Sequence, residues 1–159
     1  MLITTPDWVS NMPTPRKPRR DCLSCGKQLN RPEKVYCNNI CQGDYRYREY
    51  IAQWQAGLLS GNNASGEVSS HVRRYLIEKH GAKCSRCNWS ERNPVTGRVP
   101  VCIDHIDGDW RNTTEENLRF LCPNCHSLTP TYQALNKGKG RPWRYKKVSQ
   151  NNHADVAQW

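Results

Sequence analysis

Four residues in the second half of the chain have types that could do chemistry. Residues 102–110 read CIDHIDGDW and residues 116–128 read ENLRFLCPNCHSL, which supply Asp104, His105, Asn117 and His126 in order. An imidazole titrates near neutral pH and can take a proton from water. A carboxylate and a second imidazole can hold a divalent ion and leave coordination positions open. The pattern therefore suits hydrolysis beside a bound cation. The competing reading makes His105 a structural histidine, Asp104 a turn former, Asn117 a cap and His126 a spare zinc ligand. Asp107 and Asp109 are expected as loop residues. With Gly108 at the sixth position of a calcium loop, the first and third would be Ile103 and His105, which excludes that site.

Such a site must be positioned, and the composition limits how. Only 36% of the 159 residues are hydrophobic and Phe occurs once, so a large apolar core is not expected. Nine cysteines offer staples instead. Cys22 and Cys25, Cys84 and Cys87, and Cys122 and Cys125 form C-x2-C knuckles, and Cys37 and Cys41 a C-x3-C pair. Each pair offers two thiolates to one ion, and two pairs close a tetrahedral zinc shell. The economical grouping is Cys22, Cys25, Cys37 and Cys41 in one structural zinc site and Cys84, Cys87, Cys122 and Cys125 in the other. Cys102, in the run VPVCI, is expected as a small buried hydrophobe. The start MLITTPDWVSNMPTP does not read as a secretory leader, and no run approaches a membrane span. A cytoplasmic, reduced chain with no membrane partner is expected.

The formal charge of +10 falls to about +6 once two zinc ions hold eight thiolates, and the chain stays basic. The charge is bunched at Arg16, Lys17, Arg19 and Arg20, and again at Lys137, Lys139, Arg141, Arg144, Lys146 and Lys147. A polyanionic partner follows. Residues 1–20 read as a basic arm, 21–57 as a first metal module, 58–68 (rich in Gly, Ser and Asn) as a linker, 69–136 as a second module and 137–159 as a basic tail. Tyr47, Ile51 and Trp54 recur with helical spacing before Gly57. A short helix is expected over 71–80, capped by Ser69 or Ser70 and closed by Gly81. RVPVCID alternates like a strand, DGD is a turn, and NLRFL is a second strand before a helix carrying His126. The expected fold class is a small, zinc-stabilised α+β arrangement.

At CSRC and IDHIDGDWRNTTEENLRFLCPNCHSLTP the sequence resembles the HNH endonucleases, whose site is built on a beta-beta-alpha-metal fold. The likeness covers about residues 69–135. It implies that His105 is the general base, that Asp104 and His126 bind the catalytic ion, Mg or Mn before others, and that Asn117 supports the loop and orients the base. Pro130 sets the end of the helix after His126 in question. CLSCGKQL with VYCNNICQ resembles a treble-clef-like zinc finger, and the pairing of finger and nuclease resembles phage and mobile-element nucleases. The expected function is a metal-dependent DNA endonuclease or nickase acting on double-stranded DNA in a bacterial or phage-infected cell. The rivals are a DNA-binding or regulatory protein with an inert module, and a partner-dependent component of a packaging or repair machine. Candidate DNA contacts are Arg16, Lys17, Arg19, Arg20, Lys137, Lys139 and Arg141 of the basic runs, together with Arg46 and Arg48, which alternate with tyrosines, and Arg111 and Arg119, which flank the site. Trp89 is expected to pack on the zinc-bound core; Trp110 could pack there or stack on a base.

Overall fold

The computed structural model describes residues 17–32 and 34–140. Its elements are α1 (Asn39–Gln55), α2 (Ser70–His80), β1 (Cys102–His105), β2 (Leu118–Leu121) and α3 (Pro123–Ser127), with 3-10 turns at Glu115–Asn117 and Gln133–Leu135. This is a small α+β arrangement with a two-stranded antiparallel sheet. The chain divides into two compact units between Arg48 and Glu49. Among the described residues no helix is long and apolar enough to cross a membrane.

The first unit is organised by its cysteines. The knuckle closes through Gly26 N–H to the Cys22 carbonyl at 2.9 Å and Cys22 N–H to the Lys27 carbonyl at 2.8 Å. An isolated antiparallel bridge joins Asp21 to Gln28. Cys22 and Leu29 are buried at 2% and 3% exposure, so the thiol itself is part of a very small core. The Asn38 side chain accepts the Cys41 N–H at 2.9 Å, satisfying one of the orphan donors at the start of α1.

The second unit opens with the last turns of α1, where Ile51 and Trp54 are buried. The helix stops as the glycine signal predicts: Leu58 N–H bonds to the Gln53 carbonyl and Gly57 N–H to the Trp54 carbonyl, both at 2.9 Å. Gly57 has φ +73°, and the two bonds are those of a Schellman ending. Residues 58–68, whose composition reads as a linker, carry specific bonds. Gly61 N–H reaches Thr113 Oγ1 at 2.9 Å, Asn62 Nδ2 reaches the Trp110 carbonyl at 2.9 Å, and a bridge pairs Asn62 with Val68. In α2, Ser69 caps by accepting the Val72 N–H at 3.3 Å and Gly81 closes the helix. Val72 and Leu76 are at 0% and 1% exposure.

The strand order is as expected, though β1 is shorter than the alternating run. Val99 and Val101 are buried ahead of the strand, which begins only at Cys102. Cys102 is exposed rather than buried. It starts the strand at the end of a two-stranded ladder, and the burial of the run falls on the two valines. The register sets Cys102 opposite Leu121, Ile103 opposite Phe120, Asp104 opposite Arg119 and His105 opposite Leu118. Short α3 packs against both strands and ends at Ser127, before Pro130. Pro123 at its first turn and Cys122 as its cap account for the start.

Candidate active site

The two cysteine clusters form as grouped from the sequence. Within Cys22, Cys25, Cys37 and Cys41, and within Cys84, Cys87, Cys122 and Cys125, all four sulfur atoms lie within 4.8 Å of one another. Cys25 and Cys37 sulfurs are 3.5 Å apart, and those of Cys87 and Cys122 are 3.8 Å apart. Tetrahedral zinc with bonds of about 2.3 Å sets its sulfurs roughly 3.8 Å apart, so both clusters have the dimensions of a structural zinc site.

Their electrostatics agree with that chemistry. Burial pushes the Cys22 thiol up, but backbone N–H groups of Cys25, Cys37 and Ser24 outweigh it and bring the thiol down to about 6. In the second cluster burial likewise opposes, and the backbones of Cys122, Cys87 and Arg86 bring Cys84 down to about 6. Cys37 is pushed up to about 12, first by its bond to the Cys25 thiol and then by burial. Cys125 is pushed up to about 12 by burial and by its thiol neighbours. One thiolate forms readily in each cluster and its neighbours resist, which is the repulsion that a divalent cation removes. The second cluster also serves as core: Cys84, Cys122 and Cys125 pack with Leu121, and Trp89 lies against them. Ser85 ties the knuckle to β2 through bonds from its N–H and its hydroxyl to the Phe120 carbonyl, each 2.8 Å.

The sheet and α3 bring Asp104 and His126 together. Asp104 is paired on β1 and its side chain is only 6% exposed. Its Oδ2 accepts Arg119 Nε across the ladder at 2.8 Å, and its Oδ1 lies 3.7 Å from His126 Nε2. That second separation is too long for a hydrogen bond. It is within the ~4.2 Å that two metal bonds of ~2.1 Å can bridge. His126 sits in the last turn of α3, and Tyr132 meets its ring edge-on with centroids 5.2 Å apart. Nothing in the sequence pattern pointed to Tyr132; successive turns, Thr129 N–H to the His126 carbonyl at 3.1 Å and Tyr132 N–H to the Thr129 carbonyl at 3.2 Å, follow the end of α3.

His105 closes the ladder one residue beyond Asp104, and its Nε2 is enclosed. The loop that follows is fixed by Asn117, which is 8% exposed. Asn117 Nδ2 donates to Asp107 Oδ1 at 2.8 Å and to the Asn112 carbonyl at 2.7 Å, and its Oδ1 accepts the Asp107 N–H at 3.0 Å. Its own carbonyl accepts the Ile106 N–H at 2.9 Å. Asp107, in turn, accepts Asn112 Nδ2 at 2.7 Å and the Asp109 N–H at 2.8 Å. Burial pushes the Asp107 carboxyl up, but bonds from Asn112, Asn117 and the Asp109 N–H, helped by the Lys139 charge, hold it below the ordinary value. Gly108 has φ +75°, and a Cβ there would stand 2.7 Å from Thr131 Cγ2, so both conformation and space require glycine.

The basic candidates are divided in their roles. Arg119 is engaged with Asp104, and Arg48 donates to the Ser24 carbonyl at 2.9 Å inside the first unit. Arg111 is exposed, with its guanidinium 5.0 Å over the Trp110 ring. Lys17, Arg19, Arg20, Arg46, Lys137 and Lys139 are exposed. Arg16, Arg141, Arg144, Lys146 and Lys147 lie outside the described residues. Sequence reasoning missed Thr113, buried at 6%, whose carbonyl accepts Trp54 Nε1 at 2.8 Å. The partners are far apart in the sequence and no periodicity links them.

Over 98 residues the chain is 38% identical to the H-N-H endonuclease F-TflIV of Escherichia phage T5. The match takes in 58% of this chain and 40% of that protein, so the chain spans well under half the length of the relative. The resemblance to HNH endonucleases carried by the DH, NL and CxxCH residues is thus supported by a curated phage relative. No family model matches the chain, and no solved structure matches it.

Proposed function

We propose that this chain is a metal-dependent DNA endonuclease or nickase that hydrolyses phosphodiester bonds in double-stranded DNA, with His105 as general base. The observation that carries the reading is the convergence of Asp104 Oδ1 and His126 Nε2 at 3.7 Å, one residue from an imidazole whose following loop is locked by Asn117. The similarity to a phage enzyme named as an H-N-H endonuclease supports it.

In this reading His105 takes the proton of the attacking water, a role suited to a group that titrates near neutral pH. Asn117 holds the loop at Ile106, Asp107 and Asn112 and so fixes the backbone on which His105 sits. Asp104 and His126 are the residues that would hold Mg or Mn, and Arg119 keeps the Asp104 carboxylate turned toward His126. The ion, when bound, supplies positive charge against the charge that develops on the phosphate and on the leaving 3′ oxygen. The cluster of Cys84, Cys87, Cys122 and Cys125 holds zinc and joins the ends of the segment that carries these residues. The first cysteine cluster holds a second zinc in a separate finger module, whose Lys17, Arg19, Arg20 and Arg46 contact phosphates.

The test is cleavage of supercoiled plasmid with and without Mg or Mn. We expect cation-dependent nicking or linearisation by the wild type. His105→Ala should abolish it while zinc content and DNA affinity stay within about twofold of wild type, since only proton abstraction is removed. Full activity in that variant would sink the mechanism.

A further inference from the structure

We propose that the open pocket between residues 60–66 and the Trp110–Arg111 pair is a nucleotide subsite, which receives one base and its phosphate from the DNA strand beside the bond that is cut. The proposal rests on the nuclease reading above.

The pocket has a volume of about 370 Å³, within the range of small-ligand sites. Its walls include Ser60, Asn62, Asn63, Trp110 and Arg111. Those groups match the parts of a nucleotide. The indole offers a stacking face, the guanidinium a phosphate partner, and the amides hydrogen bonds to a base edge. Arg111 is 60% exposed, and Asp109 lies 3.7 Å from it, so its charge remains within reach of a phosphate. Asn62 gives its Nδ2 to the Trp110 carbonyl, while its buried Oδ1 accepts no hydrogen bond among the described residues.

The walls are held in place before any ligand arrives. Trp54 Nε1 and Gly61 N–H grip Thr113, two residues after Arg111 in the chain, at 2.8 and 2.9 Å. Asn117 Nδ2 grips the Asn112 carbonyl at 2.7 Å, and Asp109 Oδ1 accepts the Arg111 N–H at 3.0 Å. These bonds hold the backbone that carries Trp110 and Arg111, and a backbone already ordered loses little freedom on binding, which is what a subsite needs.

The position follows from the chain. Trp110 is in the loop that begins at His105, and that stretch spans at most ~18 Å even when fully extended. The bond from Gly108 N–H to the His105 carbonyl at 2.9 Å shortens it further. Nucleotides rise ~3.4 Å per step along a strand, so the pocket takes a nucleotide within about five steps of the cut.

The full-length protein, without divalent cations, is titrated with a fluorescently labelled short duplex at several salt concentrations. Cut positions are then sequenced from a pool with randomised flanks in Mg. Trp110→Ala should weaken binding about 5- to 150-fold, the range for losing one base stack, while Trp110→Phe keeps most of the affinity. Arg111→Ala should weaken binding and lower the salt slope by roughly 0.9, one phosphate contact. Base preference within about five nucleotides of the cut should flatten in Trp110→Ala. If Trp110→Ala loses zinc or near-ultraviolet dichroism, the exposed Arg111 position decides alone. A wild type that binds and cuts while these variants match it at every salt overturns the subsite only. A wild type that neither binds nor cuts overturns the nuclease reading, and the subsite with it.

Discussion

At the scale of single residues, the site depends on an asparagine that does no chemistry. Asn117 and Asp107 share paired bonds across the loop after His105. Asn117→Asp would keep the acceptor, lose the donor and set a second carboxylate where Nδ2 now stands 2.8 Å from Asp107 Oδ1. We expect a loss of about 1–3 kcal/mol in stability, as for a buried polar group left without its partner. Cleavage should fall with it, and thermal melts beside plasmid assays check both. The pH dependence has a definite sign. Because the folded-state Asp107 carboxyl lies below its ordinary 3.8, its stabilising contribution is fully present above that value and is lost as pH falls through the lower folded one. Amide exchange at Asp109, whose N–H bonds to Asp107, should therefore quicken relative to an Asp107→Asn control only below about pH 3.8, the ordinary value of the group. Equal ratios across that range would remove Asp107 as the cause.

At the scale of elements, the sequence is legible where local chemistry decides and mute where distant contacts do. Ser69 and Gly81 bracket α2, Gly57 ends α1 and NLRFL contains β2, because caps, left-handed stops and alternation are set by neighbours in the chain. The cysteine grouping was legible for the same reason of spacing, whereas the neighbourhood of Asp104 and His126 and the loop bonds of Asn117 were expected from the family resemblance. The joint between α1, residues 58–68 and the loop at Thr113 was not. Glycine, serine and asparagine describe a flexible linker and a tightly bonded turn equally well, and only the partner 52 residues away separates them. Cys102 misled in the opposite sense, since an apolar run does not reveal where its strand begins. Gly61 tests the joint directly. A Cβ there would stand 2.8 Å from Trp54 Nε1 and 2.9 Å from Thr113 Cβ. Gly61→Ala should cost about 1–3 kcal/mol through overpacking, seen as a lower melting temperature, with the zinc content of both clusters unchanged. A variant as stable as wild type would show that the joint yields easily.

At the scale of the whole molecule, the question is where the unit that carries the candidate site begins. The compact unit that contains the site starts at Glu49, inside α1, and its first buried side chains are Ile51 and Trp54. Tyr50 gives its hydroxyl to the Ser60 carbonyl at 2.9 Å, and Gln55 reaches Tyr75 at 2.7 Å, so these helical turns belong to the packing of α2 and the loop. So short a helix has little stability alone and is held by that packing. A fragment of residues 49–140 should fold cooperatively and bind one zinc per chain, against two for the full protein. A fragment of residues 61–140 keeps Cys84, Cys87, Cys122 and Cys125 but lacks Trp54, and losing a buried tryptophan costs about 3–5 kcal/mol. It should melt without a sharp transition at temperatures where the longer fragment is folded. A fragment of residues 49–159, which keeps the basic tail, isolates the first unit's part in binding. If Lys17, Arg19, Arg20 and Arg46 contact phosphates, the salt slope of DNA affinity should fall by roughly 0.9 for each contact removed. Equal slopes in the full chain and in 49–159 would assign the first unit to a partner other than DNA.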